Sequence, residues 1–189
     1  GAWSIVSGGT GTFSGAASAT STFTADAFGT YILRWTISNG VCTPSTADIT
    51  VNYSQAPTTA TIATTPLNYC GTLVSGSLGA NTPTAGTGAW SIVSGGTGTF
   101  SDATSATSTF TADAYGSYVL RWTISNGTCT PSTANVTVNY SQAPTTATIA
   151  TTPLNYCGTL VSGSLGANTP TVGTGAWSIV SGGTGTFSD

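Results

Sequence analysis

The chain of 189 residues has no Lys, Glu, His or Met, and it carries only seven charged side chains: Arg34, Arg121, Asp26, Asp48, Asp102, Asp113 and Asp189. General acid–base catalysis draws on His, Glu, Asp and Lys held in perturbed environments, so three of its four usual agents are missing. Ser and Thr are abundant, yet a hydroxyl nucleophile needs a base within reach, and no triad can be assembled without His, Lys or Glu. Two Arg and a net charge of −3 give no grip on a phosphate backbone, which excludes a nucleic-acid role, and no polybasic patch for a membrane surface. No apolar run approaches the roughly 18 residues needed to span a bilayer. With Gly1 first and no Met anywhere, the sequence is expected to be an excised or mature segment of a longer product.

What is present is bulky and hydroxylated. Only 39% of residues are hydrophobic, but 5 Trp, 7 Tyr and 6 Phe are enough to build cores. Thr (41) and Ser (24) make about a third of the chain and must supply the polar surface that charges do not. A hydroxyl-rich surface without Lys suits an extracellular protein.

Self-similarity is the strongest signal. The run Gly1-Ala-Trp-Ser-Ile-Val-Ser-Gly-Gly-Thr-Gly-Thr-Phe-Ser14 recurs from Gly88 and from Gly175, a period of 87 residues. Residues 1–87 and 88–174 match at 78 of 87 positions, and the differences are mild: Phe28 becomes Tyr115, Ile32 becomes Val119, Ile49 becomes Val136. A period of this length fits one domain per repeat. Pro57 and Pro144 stand just after the strongest terminal strand pattern, so the boundaries fall at Gln55 and Gln142. Residues 1–54 are then the C-terminal part of one unit, 55–141 a complete unit and 142–189 the N-terminal part of the next.

Gly, Pro and Asn-Gly punctuation separates short β-type runs, and no stretch shows a 3.6-residue period, so the class is all-β. In the complete unit, strands are expected near Thr59–Thr64, Thr72–Ser77, Ala89–Ser94, Gly98–Ser101, Ser108–Thr111, Ser117–Ser125 and Thr133–Tyr140, with Asn126-Gly127 as a turn. About seven strands in 87 residues fit a two-sheet sandwich. Tyr118, Leu120, Trp122 and Ile124 alternate onto one face of the longest strand and should be core, and Trp90 and Ile92 are expected to meet them across the sandwich.

The runs Tyr69-Cys-Gly-Thr-Leu73, Gly86 through Ser101 and Gly116-Ser-Tyr-Val-Leu-Arg-Trp-Thr-Ile-Ser-Asn-Gly-Thr-Cys129 together resemble the PKD-like and immunoglobulin-like tandem repeats of giant Bacteroidetes surface proteins. Those are gliding-motility and adhesin-type proteins exported by the type IX route, and the resemblance covers nearly the whole repeat. It implies stalks, spacers or fibre-forming units at a bacterial cell surface. It also favours a disulfide within one unit, Cys70 to Cys129. Geometry objects, because the two lie at opposite poles of a standard sandwich while bridged Cα atoms sit within about 7 Å. Two rivals stay open for Cys42, Cys70, Cys129 and Cys157: Cys70 with the Cys129 equivalent of the following unit, or Cys42–Cys70 with Cys129–Cys157. Without His or Cys-x-x-Cys these thiols are poor zinc ligands.

Other chemistry is thin. A Lys–Asn isopeptide lock cannot form without Lys, and Asp102 and Asp113 are the only carboxylates of the complete unit, so calcium is a minor reading. Ser94-Gly-Gly-Thr-Gly98 lacks the Lys and helix of a phosphate loop. Asn126, Asn135 and Asn139 begin N-glycosylation sequons. No catalytic residue, metal or cofactor is expected. The leading function is a structural repeat of an extracellular fibre or adhesin stalk whose partners are other copies of the repeat, joined head to tail either as a tandem array or by strand addition. The alternative is a multivalent module for carbohydrate or surface ligands, with Tyr69, Phe100, Phe110 and Tyr115 as the aromatics free to stack on them. Ice binding by Thr arrays is weaker, because the spacing is not sustained.

Overall fold

The computed structural model describes residues 1–188, which are all-β and contain no helix. In the first part of the chain β1 (Ala2–Ser7), β4 (Gly29–Ile37) and β5 (Ser45–Tyr53) form one antiparallel sheet in the order β1-β4-β5, and β2 (Gly11–Phe13) pairs with β3 (Phe23–Ala25). The same arrangement recurs 87 residues on. There β7 (Thr87–Ser94), β10 (Gly116–Ser125) and β11 (Ser132–Ser141) repeat the sheet and β8 (Gly98–Phe100) pairs with β9 (Phe110–Ala112). The second sheet gains a fourth strand, β6 (Leu67–Cys70), which runs parallel to β11 and gives the order β6-β11-β10-β7.

Strict alternation makes β10 and β11 the centre. Tyr118, Leu120, Trp122 and Ile124 are buried from one strand, and Val136, Val138 and Tyr140 from its neighbour, in the register Tyr118↔Val138, Leu120↔Val136. Each fully buried Leu, Ile or Val contributes about 1.5–3 kcal/mol. The turn between these strands places Gly127 at φ 55°, which the Asn-Gly pair accommodates. The aromatic rings form a continuous string, Trp122–Trp90–Phe100–Phe110–Tyr118–Tyr140–Tyr69, with successive centroids 5.0 to 6.2 Å apart.

A second layer closes over this face. Residues 73–80 run beside β9 and the loop before it, with the N–H groups of Ser75, Leu78 and Ala80 donating to the carbonyls of Phe110, Ser108 and Ala106, and that of Ala112 to Leu73. Leu78 and Ala60 are thereby buried against the sheet, with Ile62, Leu67, Tyr69 and Leu73 partly buried beside them.

Three expectations are corrected. Trp90 and Ile92 do not lie across the sandwich: β7 is the direct neighbour of β10, Trp90 opposite Trp122 and Ile92 opposite Leu120 in one sheet, and Ile92 is only partly buried. The runs Thr59–Thr64 and Thr72–Ser77 are not continuous strands, since each makes one isolated bridge, Ile62↔Ala80 and Val74↔Thr111. Leu67–Cys70, expected to be a connection, is a strand.

Candidate functional site

The site is what residues 1–54 leave uncovered. Trp3, Phe13, Phe23, Leu33, Trp35, Ile49, Val51 and Tyr53 occupy the positions that form the core of the complete unit, but among the described residues no counterpart of residues 55–87 packs over them. The result is an open apolar groove with two lobes of about 320 and 220 Å³, one lined by Trp3, Trp35, Ala47 and Ile49, the other by Phe13, Phe23, Leu33, Val51 and Tyr53. Ile49 is 50% exposed, whereas Val136, its equivalent in the complete unit, is 0% exposed. At the groove's rim Arg34 Nε and Nη2 donate to the Asp48 carboxylate at 2.7 and 2.9 Å, which holds that carboxyl below its usual range.

The matching part lies at the other end. Residues 142–174 repeat residues 55–87 with one difference, Val172 for Ala85. Here the side chains that fill the core of the complete unit find no sheet: Ile149 is 53%, Leu154 38%, Tyr156 47% and Leu160 106% exposed. The segment nevertheless keeps the local hydrogen bonds of its buried counterpart. Thr145 Oγ1 accepts from the N–H of Thr171 and Val172 at 2.9 Å, as Thr58 Oγ1 does from Thr84 and Ala85. Asn168 Oδ1 accepts from Thr148 N–H at 2.8 Å as Asn81 does from Thr61, and the Tyr156 hydroxyl holds Gly163 N–H as Tyr69 holds Gly76.

The four cysteines are free thiols. Cys70 stands opposite Ser141 at the end of β11, where Gly71 N–H donates to Ser141 O at 2.9 Å. Cys129 is in the turn before β11 begins, its Sγ 3.4 Å from the carbonyl oxygens of both Ser54 and Gln55. A strand of this length spans about 30 Å, so a Cys70–Cys129 bridge within one unit, which the resemblance favoured, does not fit. The junction is tightened by Asn126 Nδ2, which donates to Gln55 O at 2.9 Å, and by the contact between Gly127 and Ser54.

Of the aromatics expected to be free, Phe110 is fully buried, Tyr69 stacks on Tyr140, and Phe100 is half-buried between Trp90 and Phe110. Tyr115 stays 43% exposed. Sequence reading missed Phe28, its counterpart, at 65% exposure. Asn135 and Asn139 of the sequons already bond Arg121 and Asn68. No group of three or more metal-ligating side chains occurs among the described residues.

Fold and site together define an all-β chain of sandwich type, in which one repeat is closed and the flanking parts carry a groove and the segment that fits it. No family model matches the chain, and neither does any curated protein.

Proposed function

We propose that this chain is a structural, non-catalytic part of a long extracellular surface fibre or adhesin stalk, built of immunoglobulin-like, PKD-like repeats of the kind its sequence resembles in Bacteroidetes. The observation that carries the reading is the repeated sheet: Trp3↔Trp35 and Arg34↔Asp48 recur as Trp90↔Trp122 and Arg121↔Asn135, joined through a junction in which Asn126 and Cys129 bond the linker backbone. A bonded junction keeps successive units from swinging freely, which is what a spacer under load requires. An immunoglobulin-type assignment draws support from the tryptophan on β7 and from the Tyr118 hydroxyl, which donates to Ala114 O at 3.0 Å at the entry to β10.

Electron microscopy of native cell-surface material tests this. Fibres with an axial repeat of roughly 35 to 45 Å, one unit with its linker, are expected, and dispersed single particles would refute it. A second reading, multivalent binding of surface glycans, is favoured by one observation: Phe28 and Tyr115 present an exposed aromatic at the same place in both repeats. Glycan-array binding that is lost in the Phe28→Ala, Tyr115→Ala double variant would support it.

A further inference from the structure

Two cysteine environments meet at the linker between units. Before it, Cys70 ends β6 opposite Ser141, Gly71 N–H donates to Ser141 O at 2.9 Å, and Gly71 lies against Ala143. Ser54 and Gln55 are the equivalents of Ser141 and Gln142 one repeat earlier, and they hold the start of the unit that follows. Both of their carbonyl oxygens lie 3.4 Å from Cys129 Sγ, and Gln55 O also accepts from Asn126 Nδ2 at 2.9 Å. The linker sequence Ser-Gln-Ala-Pro is the same at both places. Where two complete units adjoin, one serine carbonyl therefore receives the Cys70 end of its own unit and the Cys129 turn of the next.

We infer that successive units are stapled by a disulfide between Cys70 of one unit and the Cys129 counterpart of the unit that follows. The staple rests on the reading of the repeats as consecutive units of a fibre and supplies its covalent lock. Two groups that approach one carbonyl along separate lone pairs, at 2.9 and 3.4 Å, stand about 5.5 Å apart. Here they are the Gly71 amide and the Cys129-type sulfur, and Cys70 is the next residue to that amide. This is the neighbourhood a disulfide needs, with Cα atoms within about 7 Å. A thiol is a weak donor, so the sulfur leaves its carbonyl partners at little cost when the side chain turns toward Cys70. Cys70 is exposed and Cys129 partly so, which leaves both open to an oxidant.

The same contacts exclude the rival pairings. Within one unit, Cys129 precedes the first residue of β11 and Cys70 stands opposite its last, so the ten-residue strand, about 30 Å long, separates them. Cys42 has the place in the first part of the chain that Cys129 has in the complete unit, before β5 begins. A Cys42–Cys70 bridge would have to span β5 and β11 together, and Cys157 bears the same relation to Cys129. The inferred bridge crosses no strand. It also changes how load passes between units: without it, tension is carried by Gln-Ala-Pro alone, whereas with it a second covalent path enters β6, which is held to β11 by a ladder of four residues.

The bridge forms by thiol–disulfide exchange with a small disulfide oxidant such as oxidised glutathione. One protein thiolate attacks the oxidant and expels a thiol, and the second attacks the mixed disulfide and expels another. Two protein thiols thus become one S–S bond, and the oxidant leaves as two thiols carrying the two electrons and two protons.

The test compares the full chain with the same chain lengthened by one repeat, a second copy of residues 103–189 that continues the period in phase. Both are oxidised with glutathione at high dilution, alkylated and read by mass spectrometry. The full chain holds four thiols, none of them an inferred pair, and should gain no bridge within one molecule. The lengthened chain should gain one, from Cys70 to the added copy of Cys129. Peptides from different repeats share one sequence, so serine variants assign the bridge. Cys70→Ser should lower the bridged fraction at least about tenfold, while Cys129→Ser and Cys157→Ser should leave it unchanged. Tryptophan emission equal to the parent's checks that the exposed Cys70→Ser change keeps the fold, and Cys70→Ala repeats the measurement. A bridge inside the full chain, a lengthened chain that gains none, or a bridge that survives the loss of Cys70 or disappears with Cys129→Ser overturns the pairing. None of these results bears on native fibres, so electron microscopy judges the stalk reading separately.

Discussion

Leu78 and Leu165 are the same residue in the same local sequence, one repeat apart, and they separate covering from mere adjacency. Leu78 is 1% exposed beneath the β10–β11 sheet, whereas Leu165 in the free segment is only half-buried. Replacing Leu78 with Ala removes the transfer free energy of the side chain and leaves a cavity, together about 2–5 kcal/mol for a fully buried leucine. For a unit of this size each kcal/mol lowers the melting midpoint by about 4–8 °C, so a fall of at least about 8 °C is expected. Leu165→Ala has no closed core to disturb in the monomer and should shift the midpoint little. The assays are thermal and urea unfolding of the reduced chain at low concentration, followed by tryptophan fluorescence, in the two single variants and the parent. A Leu78→Ala cost below about 1 kcal/mol, or equal costs for the two variants, would show that residues 73–80 are not a structural layer of the unit.

Other substitutions probe the same core from different sides. A Cβ at Gly88 would clash with the Trp122 ring, which is fully enclosed, so Gly88→Ala should destabilise the complete unit by about 1–3 kcal/mol in the same assay. Ser75 Oγ, buried, accepts the Phe110 N–H at 2.8 Å, so Ser75→Ala strands a buried donor at a cost of about 1–3 kcal/mol, while Ser75→Thr should keep part of the bond. Burial raises the pKa of Tyr140 above 10.0. As pH rises through that value the unfolded chain releases the phenol proton and the folded chain keeps it. Stability from this residue is therefore fully present below pH 10 and lost as pH climbs through the folded value. Urea midpoints measured at pH 8 and pH 11 should fall further in the parent than in Tyr140→Phe.

The 87-residue period, the all-β class and the alternation of β10 and β11 were legible because each is a local signal: repetition, punctuation, and a two-residue period ending in Asn-Gly. What was misread depended on partners far along the chain. Leu67–Cys70 is four residues long and follows Pro66, and nothing near it announces the parallel pairing with Val138–Ser141 that makes it a strand. Thr59–Thr64 has the composition of a strand, but its backbone is held by the Asn81 side chain, at Thr59 and Thr61, and by Ser132 Oγ, which accepts the Ala60 N–H, instead of a ladder. Trp90 and Trp122 share a buried face, and that pattern is the same whether two strands oppose each other or lie side by side. The pairing of Cys70 with the Cys129 equivalent of the following unit was among the rivals the sequence left open, whereas the contact that favours it was not legible, because it runs through the carbonyl of Ser54, a group no sequence pattern marks.

The last strand of each unit runs through Gln-Ala-Pro directly into the segment that covers the next, so covering is done in cis wherever the chain continues, at the effective concentration of a three-residue tether. Near-identical neighbours usually invite exchange of segments between units. Here the short linker limits that hazard, since a segment leaving one end of a unit reaches only the unit beyond it. Wherever two complete units adjoin, the oxygen of the linking serine draws the Cys70 end of one and the Cys129 turn of the next to one junction.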